Sequence, residues 1–421
     1  MDRDAVGPPG TPSLLRAIND RTALRLLADR GPLSRTQLGA LAGLSKPTAS
    51  QLMDRLETAG LVEAVLDADP GHVNGSAGRT ARRYRLRGAA AHVAGLDVTA
   101  ARIVARVCDL SGQPVGEATL VTPGRSASGT VDRVRAALAA ACATAAMDLG
   151  SLHHVVIGIG GAIDPGTGRL GFARHLPGWH ESDLLARLRA ELTGPGAPDP
   201  RVDVENDVNL VAIAEQTVGA GHGARDVVVL WVAEGIGAAV IIDGKLHRGA
   251  TGGAGEVGYM PVPGAPVVRS IGRGTTGGFQ ALAGGPAVLK LARQYGFTGA
   301  DPQSAVARAI EAIAAPAPVA VQQAARRLLI ELADRLATGL APIVAVLDPE
   351  LIVLSGAIPR SGGAVLRELV AEALHGMAIP RPRLVESALA DNPVLAGAIH
   401  AALAATREAV FDTSAGNPIP A

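Results

Sequence analysis

The spacing of apolar residues along the first 88 positions predicts three short helices followed by a β-hairpin. Apolar side chains recur at helical intervals after Ser13, and Gly31-Pro32 ends the first helix. Two further helices, each starting next to a serine that can cap it, flank the turn Gly43-Leu44. An apolar run and a basic run then enclose a tip rich in glycine, asparagine and serine. The predicted elements are helices at 13–30, 33–42 and 46–56 and strands at 60–66 and 80–86.

Two helices joined by a glycine-containing turn and followed by a hairpin are typical of a winged helix-turn-helix. The later of these two helices leaves a polar face outward, and the hairpin tip could place an arginine in a minor groove. The alternative interpretation is a helical protein–protein module with a solvated basic hairpin. The residues that we expect to contact DNA are Arg35, Lys46, Thr48, Ser50, Gln51, Arg55 and Arg79.

The pattern after residue 89 predicts an α/β domain. Three apolar strands, an Ala-rich helix and a buried strand open it, and βα units follow. We expect its last helix to pack toward the N-terminal domain or toward a dimer partner. The main predicted elements are strands at 93–98, 103–109, 117–121, 155–159 and 202–204 and helices at 128–147, 322–346 and 394–411.

Polar side chains concentrate in residues 205–209, between a predicted strand and a predicted helix. In α/β proteins such a turn lies at the carboxyl end of a strand, where ligands bind. Asn206 and Asn209 offer donors and acceptors, and Asp207 offers a carboxylate. This set suits a polyhydroxylated ligand such as a sugar, and Asp207 could serve as a general base. The alternative is a plain helix N-cap with an aspartate in the first turn.

Charge is balanced overall, with 39 Lys+Arg and 39 Asp+Glu, but it is unevenly distributed. Residues 1–88 carry a net charge of +4, and five arginines lie between Arg79 and Arg87, which favours nucleic acid as a partner. Cys108 and Cys142 lack metal-type spacing and are interpreted as buried thiols in a reducing compartment. No signal peptide or membrane span is evident, because the longest apolar run is broken at 348–350. We therefore expect a cytoplasmic protein with no membrane partner.

Five segments resemble, in order, the motifs of the ROK family, named for repressors, open reading frames and kinases. The run Glu-Asn-Asp-Val-Asn at 205–209 is the most recognisable of them. Together with the winged helix, the resemblance covers nearly the whole chain. It implies a two-lobed actin/hexokinase-like, or ribonuclease H-like, sugar-kinase domain. The five segments are 157–164, 176–179, 205–209, 244–258 and 348–356.

The resemblance also implies roles for individual residues. In a kinase, Asp207 would deprotonate a sugar hydroxyl while Asn206 and Glu256 hold the sugar. Tyr259 stands where the family has a sugar-contacting histidine, and Gln280 where it has a glutamate; both can still bond hydroxyls. The resulting sugar-binding set is Gly161, Asn206, Asp207, Glu256, Tyr259 and Gln280.

The sequence departs from the kinases at both phosphate loops. Residues 97–101 read Asp-Val-Thr-Ala-Ala instead of Asp-x-Gly-Gly-Thr, so the glycines that let backbone amides approach phosphate are missing. Residues 233–237 read Ala-Glu-Gly-Ile-Gly instead of Gly-Thr-Gly-x-Gly, and Glu234 places a carboxylate where a hydroxyl would meet phosphate. The family's zinc ligands are missing from the aligned Tyr259 and residues 271–280, so we expect neither metal nor cofactor.

We therefore predict a sugar-responsive DNA-binding transcriptional regulator, a repressor, whose degenerate kinase domain binds a sugar or sugar phosphate as effector. Expected partners are operator DNA, that effector and further copies of the chain in a dimer or tetramer. The alternatives are an active ATP-dependent sugar kinase with an appended DNA-binding domain, or a regulator that no longer responds to ligand. The expected domains are a disordered N-terminus at 1–12, a winged helix-turn-helix at 13–88, a ROK effector domain at 89–411 and a flexible tail at 412–421.

Overall fold

The computed structural model of the chain describes residues 12–65, 82–122, 129–163, 170–171, 179, 184–193, 200–269 and 277–412. Within these ranges no helix is both long and apolar enough to cross a membrane. Several predicted features lie outside the described residues: the segment before residue 12, the hairpin tip with Arg79, and the tail after residue 412.

The N-terminal module contains three helices and a small antiparallel sheet in the order β1-β3-β2. Ser34 caps α2 in a reciprocal capping box with Gln37, and Ser45 caps α3 by accepting from the amide of Thr48. Gly43 takes the left-handed conformation (φ 67°) that ends α2, which explains the glycine in this turn. The predicted helix-turn-helix and hairpin are thus confirmed. The elements are α1 (Pro12–Arg30), β1 (Leu33–Ser34), α2 (Arg35–Ala42), α3 (Lys46–Thr58), β2 (Val62–Val65) and β3 (Arg83–Leu86).

The first lobe of the α/β domain is a five-stranded sheet in the order β10-β7-β4-β5-β6. The first three strands in that order are parallel, and β5 and β6 continue the sheet antiparallel, as the predicted pattern implies. The helix α4 ends three residues before the predicted boundary, and Ala146 just beyond it has a positive φ. The elements are β4 (His92–Val98), β5 (Arg102–Asp109), β6 (Pro114–Val121), α4 (Thr130–Thr144), β7 (Leu152–Ile159), β8 (Ala162–Ile163), β9 (Leu170–Gly171), α5 (Leu184–Leu192), β10 (Arg201–Asn206) and α6 (Asp207–Val218).

The second lobe repeats this architecture with a sheet in the order β13-β12-β11-β14-β15. Its two parallel central strands, Val227–Val232 and Leu351–Ser355, are almost wholly apolar because helices cover the sheet, as buried parallel strands require. The two five-stranded sheets confirm the predicted hexokinase-like fold. The elements are β11 (Val227–Val232), β12 (Ile236–Ile242), β13 (Lys245–His247), α7 (Gly278–Ala283), α8 (Gly285–Gln294), α9 (Pro302–Ala314), α10 (Val319–Leu347), β14 (Leu351–Ser355), α11 (Ala357–Met377), β15 (Arg383–Glu386) and α12 (Pro393–Val410).

The last helix, α12, returns to the first lobe and reaches the N-terminal module. It packs against α6, β4 and β7 along its length. Phe411, directly after it, is only 2% exposed and joins a core with Leu24, Leu52 and Tyr84 of the N-terminal module. Arg407 donates to the backbone oxygen of Leu110 in that same region. The expectation that this helix packs toward the N-terminal domain is therefore confirmed.

Candidate ligand cleft and nucleic-acid interface

A cleft of about 650 Å³ opens between the two lobes, within the size range of small-molecule sites. One wall comes from the ends of β7 and β10 in the first lobe, and the other from the β11–β12 hairpin and the loop after β13. All six residues of the predicted sugar-binding set line this one cleft: Gly161, Asn206, Asp207, Glu256, Tyr259 and Gln280. The structure thus brings together residues that are up to 119 positions apart in the chain.

Asn206 and Asp207 lie where β10 becomes α6, at the floor of the cleft. The side-chain oxygen of Asn206 accepts from the amide of Asn209 at 3.0 Å and caps α6. Its side-chain amide donates to the backbone oxygen of Gly161 at 3.1 Å, which joins the two cleft-lining segments of the first lobe. The turn can therefore be both a helix cap and part of a ligand site, because Asn206 caps α6 and also lines the cleft.

The other polar residues of this turn support it from behind. Asn209 donates to Oε1 of Glu205 at 2.9 Å, and Arg248 donates to Oε2 of the same carboxylate at 2.7 Å. Asn209 is almost fully buried, so its amide positions the turn and does not line the cleft. Sequence analysis missed Arg248, since its partner lies 43 positions earlier in another lobe.

The electrostatics of the cleft centre on Asp207. Burial raises the pKa of Asp207 to about 7, the amide of Val208 opposes this by donating to its Oδ1, and the nearby Asp97 and Glu256 raise it further. Burial also raises the pKa of Glu256 and of Asp97 above their ordinary values. A carboxyl group that titrates near neutrality in a cleft is the usual property of a general base.

Gln280 lines the cleft and also bonds the backbone of the neighbouring turn. Its Oε1 accepts from the amide of Ile236 at 2.7 Å, and its Nε2 donates to the backbone oxygen of Glu234 at 3.0 Å. Gln280 therefore bridges both ends of the β11–β12 turn and fixes its shape. Half-buried Tyr259, in a short 3₁₀ turn at Val257–Tyr259, also lines the cleft.

The turn at residues 98–102 closes on itself. The amide and hydroxyl of Thr99 both donate to the backbone oxygen of Arg102, at 2.9 and 3.0 Å. Asp97, just before this turn, accepts from the side-chain amide of Asn392 at 2.7 Å. Glu234, at the tip of the opposite hairpin, also lines the cleft. The amide of Thr99 is therefore already bonded and cannot donate to a nucleotide phosphate. The carboxylate of Glu234 would repel such a phosphate.

Trp231 is a cleft residue that sequence analysis missed. It lies at the end of the apolar strand β11, and its partly exposed side chain faces the cleft. An aromatic face offers apolar contact to the C–H groups of a sugar ring. The available signal was compositional, because the chain has only two tryptophans and this one follows a run of valine and leucine.

The polar face of α3 separates into accessible and internally bonded residues. Lys46, Thr48 and Gln51 are exposed along the outer side of the helix. Arg35 instead donates to Ser50 at 2.8 Å and to the hydroxyl of Tyr84 at 3.1 Å. The described residues of the predicted DNA-contacting set therefore divide into three exposed residues, of which Thr48 also shares a hydrogen bond with the hydroxyl of Ser45, and a group that is bonded within the module.

Arg55 and the hairpin arginines also have partners within the module. Arg55 pairs with Asp20, a carboxylate only 5% exposed. Arg82 and Arg85 pair with Glu57 and Glu63, respectively. These arginines hold the helices and the hairpin together, and the predicted wing-tip contact, Arg79, lies outside the described residues.

Few described residues bear on the predicted loss of the metal site. Residues 271–276, most of the segment aligned with the zinc motif, are outside the described ranges. Cys108 and Cys142 are both buried, and burial raises the pKa of each thiol to about 11. Within the described part of the chain, no group of three or more His, Cys, Asp or Glu side chains has a geometry suited to a metal ion.

Comparisons with known proteins match both parts of the chain. A model of the MarR family matches residues 18–71, and a model of the ROK family matches residues 93–406. A xylose repressor of Caldicellulosiruptor bescii is 25% identical over 368 residues, which cover 86% of this chain and 88% of the repressor. A glucokinase of Thermotoga maritima is 29% identical over 262 residues, covering 58% of this chain and 77% of the glucokinase.

Solved structures extend the comparison to the fold. A ROK family transcriptional regulator, described as a homologue of the E. coli MLC protein, superposes with a TM-score of 0.68 at 19% identity and covers 94% of this chain and 99% of its own. A ROK family glucokinase from Streptomyces griseus, in complex with glucose and AMPPNP, gives 0.57 at 27% identity, covering 74% and 99%. Because the ROK model matches well over half of its length, this chain, with a winged helix ahead of its two-lobed domain, belongs to the ROK family.

Proposed function

We propose that this protein is a sugar-responsive transcriptional repressor. The observation that carries the proposal is that one chain combines two features. The helix α3 has an exposed polar face, and the cleft is lined by the predicted sugar-binding residues, while both phosphate loops differ from those of the kinases. Asn206, Asp207 and Glu256 line the cleft, whereas Glu234 and the closed turn at Thr99 oppose nucleotide phosphates. A relative that matches 86% of this chain and 88% of its own length, the Caldicellulosiruptor bescii protein, is named a xylose repressor.

The helix α12 offers a physical route from the cleft to the DNA-binding module. At its first turn Asn392 bonds Asp97, which lies close enough to Asp207 to raise its pKa. At its far end Glu408 pairs with Arg21 and Arg25 of α1. A ligand that favours one arrangement of the lobes would thereby bias the position of the winged helix, as coupling between two sites requires.

The proposal includes homo-oligomerisation and operator DNA as partners. A helix-turn-helix reads one half-site, so a symmetric dimer is the expected reader of a palindromic operator. We expect Lys46, Thr48 and Gln51 to face the major groove, because they are the exposed polar residues at the N-terminal part of α3.

Fluorescence anisotropy with a duplex from the gene's own upstream region, and a scrambled duplex as control, tests the proposal at two salt concentrations. Lys46→Ala should weaken binding, whereas Lys245→Ala, an exposed lysine of β13 in the second lobe, should not. A panel of free sugars should contain at least one that lowers operator affinity. Absence of any preference for the upstream duplex would refute the repressor.

A second candidate function, an ATP-dependent sugar kinase, is favoured by one observation. Asp207 has a pKa near neutrality and lies beside Asn206 and Glu256, as a general base for a sugar hydroxyl would. A coupled assay with MgATP and a hexose panel tests it, with Asp207→Ala as the inactive control. Turnover that this substitution abolishes would establish the kinase, and no turnover would leave the repressor as the better account.

A further inference from the structure

The described lining of the cleft carries acidic groups on both walls. Asp207 lies on the first-lobe side, and Glu234 and Glu256 lie on the second-lobe side. No lysine, arginine or histidine occurs among the described residues that line it. Of two arginines nearby, Arg248 bonds Glu205, and Arg102 is exposed, with a charge that partly offsets the rise in the pKa of Asp97. An anionic ligand would therefore meet like charge and find no counter-charge among the described lining residues.

Glu234 is held in place by its backbone while its side chain stays exposed. Its carbonyl oxygen accepts from Nε2 of Gln280 at 3.0 Å and from the amide of Gly285 at 3.2 Å. The backbone of Gly285 also lies close to Glu234. A Cβ atom added to Gly285 would lie 3.0 Å from the Cα of Glu234, so the two segments are in close contact. The carboxylate of Glu234 therefore lies at the cleft on a turn whose backbone is fixed by these contacts.

The class of ligand that suits the cleft follows from its negative charge and from the polar and aromatic side chains that line it. Amide and carboxylate groups at Asn206, Asp207 and Glu256 can accept from and donate to neutral hydroxyls. Trp231 supplies an apolar face. A phosphate ester would place a charge of nearly −2 in a cleft that has carboxyl groups on both walls, so it would meet like charge there.

Resting on the proposed function, we propose that Glu234 is a specificity-determining residue that restricts the effector to an unphosphorylated, uncharged sugar and rejects sugar phosphates and nucleotides. The repressor would then report the free sugar and not its phosphorylated product. In a reaction sequence this places the signal before the class of reaction that phosphorylates the sugar.

Isothermal titration calorimetry with matched probe pairs tests the proposal on the full chain. The pairs are glucose and glucose 6-phosphate, and N-acetylglucosamine and its 6-phosphate, with xylose as a further neutral probe and MgAMPPNP as the nucleotide probe. The wild-type protein should bind at least one neutral sugar at least about tenfold more tightly than the corresponding ester, and should not bind the nucleotide. Glu234→Gln should narrow this ratio several-fold through tighter binding of the ester.

Glu311→Gln is the matched control, since it removes one negative charge from an exposed position of α9 far from the cleft lining. It should leave the ratio at the wild-type value. An ester that binds the wild-type protein as tightly as its neutral sugar would overturn the proposal, as would an unchanged ratio in Glu234→Gln or no binding of any probe.

The anisotropy measurement separates this inference from the repressor itself. Discrimination against esters without operator binding would refute the repressor and keep Glu234 as the selecting residue of the cleft. Operator release by a sugar phosphate would keep the repressor and refute the role of Glu234.

Discussion

The side-chain amide of Asn392 donates to Oδ2 of Asp97 at 2.7 Å, across 295 positions of sequence. The side-chain oxygen of Asn392 also accepts from the amide of Leu395 at 3.0 Å and caps α12. One residue thus both starts the helix that reaches the DNA-binding module and holds it to the carboxylate behind the cleft. A change of lobe arrangement that moves Asp97 must displace α12 or break this bond.

The two roles of Asn392 can be separated by substitution. Asn392→Ser keeps an oxygen that can cap α12 but is too short to preserve the bond to Asp97, whereas Asn392→Ala loses both. We expect both variants to lose most of the effect of sugar on operator affinity, and the alanine variant to be less stable than the serine variant by about 1 kcal/mol. Operator binding with and without sugar, together with urea unfolding, measures both quantities. Full sugar response in both variants would exclude this bond from the coupling route.

The position of Phe411 makes a second prediction about α12. Phe411 is 2% exposed and lies in the core of the N-terminal module. Phe411→Ala should therefore lower the free energy of unfolding by about 3–5 kcal/mol. We expect a lower melting temperature and weaker operator binding, because the winged helix loses its attachment to the effector domain. Ile379→Ala, at a side chain 93% exposed, is the control and should change stability by less than about 0.5 kcal/mol. Equal melting curves for the two variants would show that Phe411 does not secure the module.

The division of the polar residues around α3 predicts different effects of substitution. Lys46→Ala should weaken binding to all duplexes. It should also reduce the slope of log affinity against log salt concentration by about 1, as loss of a phosphate contact does. Gln51→Ala should instead relax preference at one base pair, with a cost of about 1–3 kcal/mol on the preferred sequence. Anisotropy over a salt series, with single-base variants of the operator, distinguishes the two. Identical behaviour of the variants would contradict the assignment of Gln51 to base contact.

Arg55 should behave as a structural residue. Its guanidinium pairs with Asp20, a carboxylate that is 5% exposed, so Arg55→Ala leaves a buried charge with one partner fewer. We expect a loss of about 1–3 kcal/mol in stability, with an unchanged salt dependence of binding by the protein that remains folded. Circular dichroism melting and the same anisotropy series test this. A stable variant with a reduced salt slope would return Arg55 to the DNA-contacting set.

Local signals allowed much of this structure to be predicted. The serine caps of α2 and α3, the glycine turn and the polar run at Asn206-Asp207 are each encoded within a few neighbouring residues, and the structure has each of them. Arg35 shows where such reasoning ends: its type and position suit DNA, yet its partner Tyr84 lies 49 positions away in the hairpin. The pairings of Arg248 with Glu205 and of Asn392 with Asp97 also depend on which strands become neighbours, which no local pattern specifies.

The raised pKa of Asp207 makes stability depend on pH with a definite sign. Its pKa is about 7 in the folded protein against an ordinary value of 3.8, so the folded state keeps a proton that the unfolded state releases above pH 4. The free energy of unfolding should therefore fall as pH rises from about 4 to about 7, by up to about 1.4 kcal/mol per pH unit, and level off above that. The cause is the cost of ionising a buried carboxyl beside Asp97 and Glu256.

Asp207→Asn removes this titration while keeping an oxygen that can accept from the amide of Val208. The variant should gain stability relative to the wild type between pH 5 and pH 8, by up to about 3 kcal/mol. Urea unfolding followed by tryptophan fluorescence at the two pH values measures the change. Asp334→Asn, at an exposed position of α10, is the control and should track the wild type at both. The contrary outcome is a stability difference between Asp207→Asn and wild type that is the same at pH 5 and pH 8. It would show that Asp207 ionises in the folded cleft as readily as in the unfolded chain, and would remove the physical basis for assigning it the role of a base.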